Sequence, residues 1–154
     1  SQLLKDGKNI ALITDAGTPG ISDPGYRIIK LAQEHNIAMT VVPGPCALVA
    51  GLSLSGFAAD CFTFLGFLPP KTSARQKKLA ELKHDTKTII CYESPHRLLK
   101  SLKDIHDILE NPRIACVREI TKKFEEVRTG SCEELIDHFA RTKPRGEFVL
   151  LFKK

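Results

Sequence analysis

The chain has 154 residues, 42% hydrophobic and 27% charged, a length that supports one or two compact units and excludes a larger assembly of domains. Ten Gly, nine Pro and no Trp in that mixture exclude collagen-like, mucin-like and wholly disordered chains. Lys and Arg total 23 against 18 Asp and Glu, a formal charge of +5 that directs attention to anionic partners. The five cysteines, at 46, 61, 91, 116 and 132, contain no C-x-x-C pair of the kind that holds zinc or exchanges electrons, so no metal is expected and the thiols read as reduced. Cys91 and Cys116 sit within apolar runs, where a thiol serves as a small core residue. No apolar run approaches the ~20 residues of a membrane helix, and no basic-then-apolar leader opens the chain. A cytoplasmic location without a membrane partner is the expectation.

In chain order, residues 1–8 read as the tail of an amphipathic helix capped at Gly7, with nothing before them to start it. The sequence therefore reads as beginning within a domain. Residues 9–14 form an apolar, partly β-branched run that predicts a buried strand, leading into a Gly/Pro-rich loop over 15–25. Asp23 is placed to cap a helix with Pro24 at its first position, the helix ending near His35 and Asn36. A second strand over 37–42, a Pro43-Gly44-Pro45 turn and an apolar helix over 46–54 complete a parallel βαβα pattern.

Beyond Gly56 the pattern changes. Residues 62–67 alternate as a strand that Pro69-Pro70 breaks, followed by a basic helix over 73–84 and a strand over 88–92. Pro95 opens a helix whose Leu98, Leu99, Leu102, Ile105 and Leu109 follow helical spacing. Strands are predicted over 113–120, 125–129 and 147–153. Ser131 and Glu134 form a capping box for a helix running to Arg141. The division expected is a partial unit over 1–57 and a complete mixed-sheet unit over 58–154.

Five constellations can carry chemistry. The loop 15–25 follows a parallel strand, where open α/β sheets bind ligands, and its glycines admit close backbone approach. It lacks both the Gly-Lys-Ser/Thr ending of a phosphate loop and G-x-G-x-x-G, and its prolines suit a neutral or zwitterionic ligand. The Pro43-Gly44-Pro45-Cys46-Ala47 turn opens a helix whose free N–H groups can meet a carboxylate or hydroxyl. In Tyr92-Glu93-Ser94-Pro95-His96-Arg97, Glu93 can orient a hydroxyl and Arg97 can clamp a phosphate, or Ser94 can cap the helix while Glu93 pairs with Arg97. Arg118-Glu119-Ile120-Thr121-Lys122-Lys123 reads as a solvated hairpin tip. The cations Lys71, Arg75, Lys77 and Lys78 can follow a nucleic-acid backbone or form a solvated helix face.

Six ordered motifs, Asp15–Gly25, Pro43–Pro45, Gly66–Pro69, Tyr92–Arg97, Arg118–Lys122 and Gly146–Leu150, closely resemble those of the ribosomal RNA small subunit methyltransferase I family, within the tetrapyrrole-methylase-like class III S-adenosylmethionine methyltransferases. The resemblance spans essentially the whole chain. It implies an α/β fold with a partial N-terminal parallel unit and a C-terminal mixed-sheet unit, and an S-adenosylmethionine cofactor held between two domains, often in a homodimer. The implied partner is 16S ribosomal RNA in the small subunit, methylated at the ribose 2'-hydroxyl of a cytidine. Mapped by motif, Asp15, Gly17, Thr18, Pro19 and Ile21 match the cofactor loop, Cys46 and Ala47 the second cofactor turn, and Tyr92, Glu93, Gly146 and Glu147 the contribution of the other domain.

Glu93, Glu119 and Lys122 are the candidates for a base or cationic stabiliser at the ribose oxygen, and Lys71, Arg75, Lys78, Arg97 and Lys122 for RNA phosphates. Cys46 stands where the family carries Ser, a weaker hydrogen-bonding group. The family's first strand, with its Pro-Ile-Gly-Asn-Leu-like loop, and a later Glu-Asp-Thr-Arg-like motif have no counterpart in these residues, so a truncated chain is expected. A methylase of small tetrapyrroles, or a non-catalytic fragment of the same fold, are the alternatives.

Overall fold

The computed structural model describes residues 2–154; Ser1, at the head of the expected helix tail, lies outside them. Two compact units are present, Ser1–Cys46 and Ala47–Lys154.

The first unit holds α1 (Gln2–Lys5) and α2 (Tyr26–Glu34) joined by long connections. Residues 9–14 and 37–42, expected as parallel strands, are not strands: neither forms a ladder among the described residues. An apolar β-branched run supplies side chains suited to a pleated surface, but its N–H and C=O groups need a neighbouring strand. None is beside them, and Ile10, Leu12, Ile13, Met39, Val41 and Val42 stand exposed. The expected Asp23 cap is also absent. α2 begins after Gly25 with no side-chain cap, and Asp23 Oδ2 instead accepts a 3.0 Å hydrogen bond from the Thr14 hydroxyl.

The second unit is built on one mixed sheet. Its elements are α3 (Ala47–Ser55), β1 (Phe62–Phe67), α4 (Thr72–Glu81), β2 (Thr88–Glu93), α5 (Leu98–Leu109), β3 (Arg113–Arg118), β4 (Glu126–Ser131), α6 (Cys132–Arg141) and β5 (Phe148–Lys153). The strand order is β1-β2-β5-β3-β4, with β1 and β2 parallel and every other pair antiparallel. Because successive side chains point to opposite faces, Ile89, Cys91, Ile114, Cys116, Phe148, Leu150 and Phe152 share one face. That face packs on Leu79, Leu98, Leu102, Ile105, Leu109, Leu135 and Phe139 of α4, α5 and α6. The interleaved Ile90, Ala115, Val117, Val149 and Leu151 are equally buried on the other face, which α3 covers with Leu48 and Leu52. The boundary expected at 57–58 thus falls at 46–47, because α3 is one wall of the second unit's core.

Local rules account for the helices that form as expected. α5 buries Leu98, Leu102, Ile105 and Leu109, with Leu99 half-buried beside them. α6 begins with a reciprocal capping box: the Glu134 amide donates to Ser131 Oγ at 3.2 Å, and the Ser131 amide to Glu134 Oε2 at 2.8 Å. Burial of Cys91, Cys116 and Cys132 among apolar neighbours pushes all three thiols upward, Cys132 to about 12, so they pack as neutral side chains.

Arg75 departs from its expected role. It is 2% exposed, its Nε donates to Asp104 Oδ2 at 2.6 Å, and its Nη1 reaches the carbonyls of Pro69 and Pro70 at 3.3 and 3.2 Å. Gln76 holds the other Asp104 oxygen at 2.8 Å. Arg75 therefore pins the Pro69-Pro70 turn to α5 and is withdrawn from any surface for phosphate. Removing the carboxylate with Asp104→Ala strands a buried guanidinium, and urea denaturation should show a loss of about 3–5 kcal/mol.

Candidate functional site

The two Gly/Pro-rich segments of the first unit, separated by 27 residues at their contact, lie against one another. The Thr18 hydroxyl donates to the Pro45 carbonyl at 3.1 Å. Gly44 is required by this approach, since a Cβ there would stand 2.8 Å from the Gly17 carbonyl oxygen and 3.2 Å from Thr18 Oγ1. Gly17 itself has φ +82°, a conformation that side chains other than glycine's rarely adopt. The Ile21 amide closes the turn on the Thr18 carbonyl at 3.2 Å. Asp15, Gly17 and Gly44 are exposed, so this double loop presents bare main chain and one carboxylate.

In the second unit the remaining candidates gather at one end of the sheet. Register places Glu93 and Arg118 on either side of Phe148, so the carboxyl ends of β2 and β3 meet the start of β5. Such an end is where open α/β sheets bind ligands. Tyr92 accepts a 3.1 Å hydrogen bond from the Leu48 amide at the start of α3 and lies edge-on to Phe64 and Phe67, with centroids at 4.9 and 5.7 Å. The aromatic pair around Tyr92 was missed from sequence, because strict alternation puts Phe64 and Phe67 on opposite faces of β1 and the register shifts between them.

Glu93 points to the opposite face and is buried. Its carboxylate accepts from the Ser94 amide at 2.7 Å and the Ser101 hydroxyl at 2.5 Å, and pairs with Arg97 at 2.8 Å. Of the two alternatives for this motif, the ion pair forms, while Ser94 makes no side-chain cap on α5. A carboxylate so fully engaged and out of solvent is no free base, which corrects its expected catalytic part. Arg97 is also engaged, donating to the Leu68 carbonyl at 3.2 Å and lying 6.0 Å from the Phe67 ring centroid, and so holds the end of β1 rather than a phosphate.

Glu119, Lys122 and Gly146 come together. Lys122 Nζ lies 3.1 Å from Glu119 Oε1 and 2.8 Å from Glu147 Oε2, and the Glu147 amide donates to Glu119 Oε1 at 3.0 Å. A Cβ at Gly146, where φ is +86°, would collide with the Glu119 side chain. That Glu147 amide, then Lys122, holds the Glu119 carboxyl below its ordinary range. Glu147, then Glu119, holds the Lys122 ammonium above its own. Both groups remain charged through neutral pH, an arrangement suited to electrostatic stabilisation rather than proton transfer.

Among the expected phosphate ligands, Lys71 is exposed at the start of α4, and Lys78 is half-buried and paired with Glu81 at 3.0 Å. The cations Lys143 and Arg145, near Gly146, escaped notice because they lie in an irregular connection with no periodicity. No cluster of His, Cys, Asp and Glu able to hold a metal occurs among the described residues, and no helix is long and apolar enough to cross a membrane.

The family model for Tetrapyrrole (Corrin/Porphyrin) Methylases matches residues 1–136. The chain is 44% identical over 151 residues to a Vibrio cholerae protein named ribosomal RNA small subunit methyltransferase I, covering 96% of this chain and 52% of that relative. A Thermotoga maritima protein of the same name is 41% identical over 149 residues, covering 97% of this chain and 67% of its own. The chain spans about half the length of most of the curated relatives it matches. Among solved structures, the methyltransferase CobJ superposes with a TM-score of 0.70 at 14% identity, covering 99% of this chain and 67% of its own. A uroporphyrin-III C-methyl transferase from Thermus thermophilus, complexed with S-adenyl homocysteine, superposes with a TM-score of 0.59 at 16% identity, covering 90% of this chain and 63% of its own. These establish the tetrapyrrole-methylase fold.

In a carboxyl-carbon NMR titration, Glu119 should ionise below an ordinary glutamate, and Lys122→Ala should move it only part of the way back, because the Glu147 amide remains. Its stabilising contribution is then present above the unfolded-state pKa and is lost as pH falls through the lowered folded value. Gly146→Ala should destabilise the unit by about 1–3 kcal/mol, through positive φ and collision with Glu119, as read by thermal unfolding.

Proposed function

Because the chain belongs to the tetrapyrrole methylase family, we propose that it serves S-adenosylmethionine-dependent methylation of small-subunit ribosomal RNA, at the ribose 2'-hydroxyl of a cytidine in 16S RNA, in the cytoplasm and as a homodimer. The observation that carries this reading is the 44% identity, across 96% of the chain, to a relative named for that RNA, against 16% to structures named for cobalamin and uroporphyrin chemistry. The net charge of +5 supports it, since phosphodiester is an extended anion and a small tetrapyrrole offers less use for a cationic surface.

The residues of the double loop fit S-adenosylmethionine. Gly17 offers exposed main chain, Gly44 lets the two loops close on one another, Asp15 offers a carboxylate for ribose hydroxyls or an ammonium, and Thr18, Pro19, Ile21, Cys46 and Ala47 line the loops. In the second unit, taken by itself, Tyr92 with Phe64 and Phe67 offers an aromatic surface suited to an adenine ring. When bound, the cofactor supplies an electrophilic methyl group on a sulfonium.

Transfer to a ribose oxygen requires in-line placement, and rigid loops serve that better than mobile ones. The Thr18–Pro45 hydrogen bond and the prolines around it supply such rigidity. At the acceptor, Lys122 stays cationic under Glu147 and Glu119 and would stabilise negative charge growing on the ribose oxygen. Glu119, held ionised, positions Lys122 and is a weak base. Lys71 and Lys78 would meet RNA phosphates.

Incubation with small ribosomal subunits and tritium-labelled cofactor should label 16S RNA, and the methylated linkage should resist alkali because its 2'-oxygen is blocked. Label in an alkali-sensitive base position, or only in an added porphyrin, would defeat this reading. Gly17→Val, folded by circular dichroism, should lose cofactor affinity by about ten-fold or more in calorimetry, a change of about 1.4 kcal/mol.

A further inference from the structure

Beside Glu119 and Gly146 the second unit holds an open cavity of about 280 Å³, lined also by Arg118, Phe124, Thr142, Lys143 and Arg145. Its wall carries three cations against one carboxylate, Glu119, which accepts from the Glu147 amide and shares Lys122 with the neighbouring Glu147 carboxylate. Lys143 and Arg145 are exposed and make no ion pair among the described residues. Arg118 is a second and separate sign. Its Nε is buried with no hydrogen bond, although Glu126 Oε2 lies 2.7 Å away, out of line for one. Arg128 at 2.7 Å and His138 at 3.1 Å meet the other Glu126 oxygen, so Arg118 Nε faces Oε2 as a charge neighbour without an aligned acceptor. A buried donor in that state calls for an acceptor. At the mouth, Phe124 is 65% exposed amid charged residues, with Lys123 Nζ 5.6 Å from its ring centroid.

Cations that follow a backbone beside a free aromatic face are the two parts by which proteins hold unpaired nucleic acid. S-adenosylmethionine suits the cavity poorly, for it carries a positive sulfonium and no phosphate. We propose that this cavity is a binding site for single-stranded RNA, taking a phosphodiester between Arg118, Lys143 and Arg145 and stacking one base on Phe124. The proposal rests on the RNA-methylation reading above and moves the main RNA grip from α4 to the β3–β4 and α6–β5 connections.

The test is fluorescence anisotropy of a short fluorescein-labelled single-stranded RNA titrated with this chain at several salt concentrations. Lys143→Ala with Arg145→Ala should reduce the slope of log affinity against log salt by about one unit, at ~0.7 per phosphate contact on single strands. Phe124→Ala should weaken binding by about five-fold or more with the slope unchanged, because stacking releases no counterions. All three positions are exposed, so circular dichroism should report folded variants. Wild-type binding of RNA that both variants reproduce would overturn this site and leave the RNA-methylation reading standing. Absence of RNA binding by the wild type would overturn both. Equal displacement by polyglutamate and by unlabelled RNA would make the cavity a general acidic-polymer surface and overturn the nucleic-acid assignment alone.

Discussion

The buried carboxylate of Glu93 sits where strand, helix and crossover meet, and the geometry of that end of the sheet follows from how it is satisfied. An unpaired carboxylate out of water is costly, so the Ser94 amide, the Ser101 hydroxyl and the Arg97 guanidinium must all converge on it. Arg97, once drawn in, reaches the Leu68 carbonyl and lies beside Phe67, which sets the end of β1 next to Tyr92. The Arg75–Asp104 pair repeats the device one turn further on by holding Pro69 and Pro70. Two buried acid–arginine pairs thus fix a crossover that apolar contact alone, being non-directional, would leave free to shift.

The same economy of roles explains why the surface chemistry lies elsewhere. Residues with the most reactive appearance in the sequence are those committed to the interior, and the groups that stay available are on the connections following β3 and α6. Those connections carry positive-φ residues at Glu119, Thr121 and Gly146, a backbone held in uncommon conformations by a rigid sheet beneath it.

What could be read from sequence follows physical range. The α5 stripe, the Ser131–Glu134 capping box and the extent of β1 depend on neighbours a few residues away, and each appears where its pattern places it. Membership of the family was legible for a related reason, since its motifs are short and ordered. The failures all concern partners distant in sequence. Residues 9–14 have the composition of a strand but no ladder, Asp23 was claimed by Thr14, and nothing local separates a solvated Arg75 from one that reaches Asp104. The cavity cations were invisible because Lys143 and Arg145 meet Arg118 only through the return of β5 beside β3.

That return has a kinetic consequence. β5 spans residues 148–153, yet it occupies the middle of the sheet, flanked by β2 from 88–93 and β3 from 113–118. Neither neighbour has the other to pair with, so no stable subset of the sheet joins the β1–β2 half to the β3–β4 half until β5 inserts. Closing loops of that span carries an entropic cost before any ladder repays it. During synthesis the two half-sheets would leave the ribosome as separate, edge-exposed pieces, and the second unit would consolidate in one late, cooperative step.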